Sequence, residues 1–146
     1  MPLAPDTLRW FAEATITVAP RDAEPLNVPA AGAHPRPPLP SALRPSVWIV
    51  PAWDAFAEPA LDEDARQRAE RQLNTSVGQA ELASMPATLT GADGLVVPGV
   101  ALLGVDRARA LRLGYKRGVW AVIGLSADRA VVVFTGINSR LRTPEE

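Results

Sequence analysis

Few side chains in this chain are equipped for chemistry. Among its 146 residues there is no Cys and one His, His34. Thiolate catalysis, disulfides and a Cys/His zinc site are therefore excluded. His34 stands between Ala33 and Pro35 in a proline-rich stretch, where a general base would lack a fixed partner and a shielded site. A Ser/His/Asp or Cys/His nucleophile system would have to use that one imidazole, so a solvent-exposed bystander is the simpler reading. Asp62, Glu63 and Asp64 form an acidic run. Paired carboxylates can hold Mg²⁺ or share a proton, but at a helix start the macrodipole already favours them, and they read as capping groups. No Gly-x-Gly-x-x-Gly, Walker-type or EF-hand loop occurs. No catalytic residue, metal ligand or cofactor is expected, and the reading leans away from an enzyme.

Two pairs point instead to binding. Trp53-Asp54 follows a strand and precedes a helix, where open sheets commonly place ligands. An exposed indole would stack on a planar ligand while Asp54 accepts hydrogen bonds. The plainer alternative is a Trp folded over the helix with Asp54 capping a turn. Lys116-Arg117, at the end of a second helix, would bind an anion or, more simply, complement the negative helix end. Trp53, Asp54, Lys116 and Arg117 are the candidate ligand-binding residues, and that reading requires all four to converge on one pocket.

Composition bounds what surrounds them. Hydrophobic residues make up 47% and charged residues 21% of a 15.5 kDa chain. One domain, residues 1–146, with a core of its own is expected. The formal net charge is −1. The Arg residues are scattered among acids, so neither nucleic acid nor a membrane surface is an expected partner. Lys116 is the only lysine, and the wealth of Arg, Ala and Pro suggests a GC-rich coding sequence. Asp6, Arg9 and Glu13 interrupt every apolar stretch near the start, which speaks against a secretory signal. No window approaches the ~18 apolar residues of a membrane span. A cytoplasmic location is the default.

The elements that must position these residues can be read from periodicity. Asp6 is expected to cap a short helix through Glu13, with Leu8, Phe11 and Ala12 on one face and Trp10 covering a neighbour. Thr15-Ile16-Thr17-Val18 alternates and is β-branched, a strand closed by Pro20. The stretch from Pro20 to Pro45 carries eight prolines, which exclude regular helix and central strand. It leaves room for a brief edge strand at Leu26-Asn27-Val28. Ala30 to Ser41 should be an extended loop, a connector before it is a proline-rich ligand for an aromatic groove.

Val47-Trp48-Ile49-Val50 is apolar on both faces and belongs inside a sheet. The main helix is expected from Asp62 to Leu82. Its stripe is Ala65, Ala69, Leu73, Val77 and Ala80, with Arg66, Arg68, Glu70 and Arg71 on the wet side and Gly78 as a weak point. Pro86 to Thr90 is a short strand, Gly91 to Gly94 a turn, and Val100 to Val105 a second two-sided apolar strand. Asp106 then caps a helix ending at Gly114. Val119 to Leu125 and Ala130 to Phe134 form a hairpin, followed by a polar, frayed tail at about 139–146.

The order from Val47 to Phe134 is β-α-β-β-α-β-β. It predicts an α+β fold with a small mixed or antiparallel sheet, in a ferredoxin-like, split βαβ arrangement. Two helices lie on one face, with the N-terminal helix and strand added. Both strands of the final hairpin are apolar on both faces, so both faces need a cover. The same chain or a second copy would supply it.

Several of these stretches resemble DUF3293, a bacterial family of unknown function. Ala52-Trp53-Asp54 after a strand, Arg66 to Leu73 in a charged helix, and Asp93-Gly94 with Pro98 before Leu102-Leu103-Gly104 follow the family's order of pieces. So do Ala108, Ala110 and Leu111 in the next helix and Tyr115 where the family has Phe. The likeness runs from about Leu8 to Ile123, apart from the proline-rich insert. It differs at polar positions: Asp54 and Ala65 stand where the family has Asn, Val97 near an expected Glu, and Lys116-Arg117 in place of Gly-Gln. The resemblance implies the fold and no established reaction.

The favoured expectation is a non-catalytic binding or self-association module, with homo-oligomers forming through the C-terminal hairpin. The alternative is a small-ligand or nucleotide-type binding domain, or a weak enzyme, with its site near Trp53 and Asp54.

Overall fold

The computed structural model describes residues 5–20, 24–28, 46–54, 61–126 and 130–135. The expectations for His34, the Ala30 to Ser41 loop, most of the final hairpin's turn and the tail lie outside the described residues. Three helices, α1 (Pro5–Glu13), α2 (Glu63–Gln79) and α3 (Arg107–Arg117), accompany seven strands. The strands are β1 (Thr15–Val18), β2 (Leu26–Val28), β3 (Ser46–Pro51), β4 (Ala83–Thr90), β5 (Val96–Leu103), β6 (Ala121–Ser126) and β7 (Ala130–Phe134). They form one sheet in the order β2-β1-β4-β5-β3-β6-β7, and every neighbouring pair is antiparallel. The sheet curls into a half-barrel.

The α+β class stands, but the small sheet is corrected. The N-terminal strands join the same sheet as the hairpins, because Ile16 pairs with Leu89 and Val18 with Ala87. β4 and β5 each run eight residues, longer than expected because each tolerates a proline. Both prolines sit where a neighbouring ladder ends. The Pro98 carbonyl accepts from the Ala52 amide just past β3, and the Pro86 carbonyl accepts from the Ala19 amide just past β1. Each missing N–H therefore falls at a ladder terminus, where its loss interrupts no continuing pair.

Directly paired antiparallel residues share a face, so the registers sort the sheet's two sides. Ile16, Leu89, Val97, Ala101, Ile49 and Ile123 lie on one side, and all are buried. α1 packs there through Phe11 and Trp10, whose rings meet edge-to-face at 5.3 Å. The opposite side carries α2 and α3 over β5, β3 and β6. There a Cβ on Gly124 would meet the Trp48 ring at 2.7 Å, so glycine lets the indole lie flat across β6. β6 is buried on both faces from Ala121 to Leu125. β7 is not: Val131 stays 37% exposed.

Two helix ends are also corrected. α1 starts at Pro5, so position 6 lies inside its first turn rather than at the cap before it. α3 continues through Gly114, which packs against Val122, and stops at Gly118 in the left-handed conformation (φ 77°). The Gly118 amide donates to the Tyr115 carbonyl and the Val119 amide to the Gly114 carbonyl, the backbone closure that glycine makes easy.

Candidate interaction sites

The acidic run at 62–64 is structural. Asp62 is the N-cap of α2, accepting the Ala65 amide at 2.8 Å. Glu63 and Asp64 occupy the first turn, where the helix dipole favours them, and Glu63 also accepts from the Gln67 side chain at 3.1 Å. Asp106 does the same work for α3 through the Arg109 amide. Asp93 folds the β4–β5 turn by accepting the Leu95 amide and also receives the Trp10 indole N–H at 3.2 Å. Among the described residues no group of three His, Asp or Glu could hold a metal ion.

Trp53 is not the exposed platform that stacking requires. It is only 6% exposed. It lines an apolar hollow with Trp10, Phe11, Leu89, Val97, Trp120 and the half-buried Asp54, a hollow that leaves no room for a water molecule. The Arg66 guanidinium lies 4.4 Å from the centre of its ring, a cation–π contact that contributes about 0.5–1 kcal/mol. Trp53 is thus folded beneath α2. Arg66 was expected on the wet side of α2 but is half-buried. The expected stripe holds through Ala65, Ala69, Leu73 and Val77, with Ser76 buried beside it and Ala80 exposed, and the stem and charge of Arg66 cover the indole at 53.

Lys116 and Arg117 lie elsewhere. Lys116 is exposed and rims a groove of about 300 Å³ between α2 and α3. Arg117 continues the inward stripe of Ala110, Leu113 and Gly114, and its Nε is buried without a hydrogen-bond partner. The four candidate residues therefore do not line one cavity: Trp53 and Asp54 share the aromatic hollow, Lys116 belongs to the groove, and Arg117 lines neither. Comparison with protein-family models, curated proteins and solved structures returned no match.

The sheet edges supply what the candidate residues did not. β2 ends one side with three residues, preceded by exposed Glu24 and Pro25 and carrying exposed Asn27. β7 ends the other with Ala130-Val131-Val132-Val133-Phe134. Beside β7, a hollow of about 170 Å³ is lined by Ser46, Trp48, Gly124, Leu125, Ser126 and Val131. No described helix is long and apolar enough to cross a membrane.

Proposed function

We propose that the protein is a non-catalytic interaction domain that pairs with a second copy of itself through β7. One observation carries this reading: β7 is a five-residue edge strand with neither charge nor proline, and it leaves Val131 exposed. Edge strands offer a row of unpaired backbone groups, and proteins usually blunt them with charge, proline, bulges or brevity. The β2 edge has brevity, proline and a polar side chain, and β7 has none of these. A two-fold axis pairs one β7 antiparallel with the next, continuing the sheet and using the same patch on both copies. The residue opposite Val131 then falls beside the Trp48–Gly124 hollow and closes its open side.

Within this reading β4-β5-β3-β6, with β3 and β4 flanking β5 and two helices on one side, is a split βαβ core. The likeness to DUF3293 and a cytoplasmic location are retained with it. The alternative site near Trp53 and Asp54 is less favoured: Trp53 is 6% exposed with Arg66 over its ring, and the hollow of about 150 Å³ beside it is lined by Glu63, Arg66, Gln67 and Glu70 rather than by Asp54.

Light scattering after size exclusion tests the assembly. The wild-type chain should run as a dimer and Val131→Lys as a monomer with an unchanged circular dichroism spectrum. A wild-type chain that stays monomeric at high micromolar concentration overturns the proposal.

A further inference from the structure

The groove between α2 and α3 is a second site, independent of association. Its described lining is Ser76, Ala80, Leu82, Arg109, Arg112, Leu113 and Lys116, with no carboxylate among them. Arg109, Arg112 and Lys116 stand at i, i+3 and i+7 on α3, which places them in one row facing α2. Ala80, Leu82 and Leu113 give the groove an apolar floor, and the buried Ser76 adds a hydroxyl.

The charge on α3 is lopsided. Arg107, Arg109, Arg112, Lys116 and Arg117 all fall within its eleven residues, which include no acid, although the whole chain has a net charge of −1. α2 by contrast mixes Glu63, Asp64 and Glu70 with Arg66, Arg68 and Arg71. Like charges three and four residues apart weaken a helix, so the row on α3 opposes folding.

The simplest structural use for such a row would be to neutralise the end of α2, but that end closes on itself. The Ala80 amide donates to the Ser76 carbonyl, the Glu81 amide to Gly78 and the Leu82 amide to Val77, with Glu81 in the left-handed conformation (φ 56°). The end of α3 is likewise closed through Gly118. The cations are exposed and face a concavity whose other wall is the end of α2, through Ser76 and Ala80.

We infer that this groove binds a small organic phosphate. Guanidinium groups match phosphate oxygens in forked pairs, Lys116 adds a third positive charge, and the Ser76 hydroxyl can donate. The apolar floor suits the carbon body of the ligand. A volume of about 300 Å³ holds a sugar phosphate or a nucleoside monophosphate, near the lower end of ordinary ligand pockets. An extended nucleic acid strand would need cations beyond a single concave row flanked by the balanced surface of α2.

Calorimetric titration with AMP and with ribose 5-phosphate tests the assignment on the full chain. Binding should be saturable, and Arg112→Glu should weaken it about tenfold or more. Lys116→Glu should weaken it in the same direction, while Arg68→Glu, the same charge change on the outer face of α2, should leave it unchanged. Amide shifts at Ser76 and Arg109 should report the bound ligand in wild type. Failure to bind either phosphate, or equal loss in Arg68→Glu and Arg112→Glu, overturns the inference. So does tight, salt-sensitive binding of single-stranded RNA that the phosphates do not compete away, since that would make α3 a nucleic-acid surface.

Discussion

The two halves of the sheet are built on different patterns. In β1 and β4 buried and open positions alternate: Ile16, Val18, Ala87 and Leu89 point inward, while Thr15, Thr17, Thr88 and Thr90 share the other face. In β3 and β6 nearly every residue is buried on either face. The difference follows the helices. α2 and α3 lie over β5, β3 and β6, and the threonine face of β1 and β4 has no such cover among the described residues. One continuous antiparallel sheet therefore behaves as a three-layer structure in one half and a two-layer structure in the other. Burial alternates only where water reaches one face.

The comparison predicts where substitutions hurt. Ile49 lies in the covered half, fully buried and paired with Ala101 and Ile123. Ile49→Ala should cost about 2–5 kcal/mol, read as a lower urea midpoint with an unchanged slope. Overpacking the same half is the next effect in size. Gly124→Val puts side-chain atoms where the Trp48 ring lies 2.7 Å from the new Cβ, and the buried ring must shift to admit them. A cost of about 1–3 kcal/mol follows, with a change in Trp fluorescence as the indole is displaced. If Gly124→Val is neutral, the close contact is not a constraint and the covered half is looser than its burial implies.

Much of this architecture was legible because the covered half is so apolar. Val47 to Val50, the β7 residues and the threonine-alternating β1 declare themselves through β-branching and period. Both long helices declare themselves through Asp62 and Asp106. The errors share a cause. Proline and glycine mark a break only if the position needs a donor or a positive φ. Pro86 and Pro98 fall at ladder ends, and Gly114 is chosen for contact with Val122 rather than for turning the chain. The candidate site was less legible. A Trp after a strand carries no mark that says whether its ring will be stacked by a ligand or by Arg66. The row at 109, 112 and 116 was visible in sequence as a helix without acids, but charge averaged over the chain concealed it. The concavity it faces depends on how α2 packs beside α3, which brings Ser76, Ala80 and Leu82 opposite the row from a distant point in the sequence.

The smallest expected effect separates the two halves most cleanly, because it uses one chemical change in opposite directions. Thr88 and Val122 sit on the same side of the sheet, one without helices over it and one under α3. Val and Thr have nearly the same shape and the same restriction at χ1, so exchanging them tests the environment and not the packing volume. Val122 is fully buried, and Val122→Thr places a hydroxyl against Gly114 at a cost of about 1–3 kcal/mol unless it finds an acceptor. Thr88 is half-buried, and Thr88→Val should change stability by no more than about 0.5 kcal/mol. Equal costs for the two, measured by thermal unfolding in the same buffer, would mean that the threonine face is buried against something as completely as the helix-covered face. The two-layer description of that half would then fail.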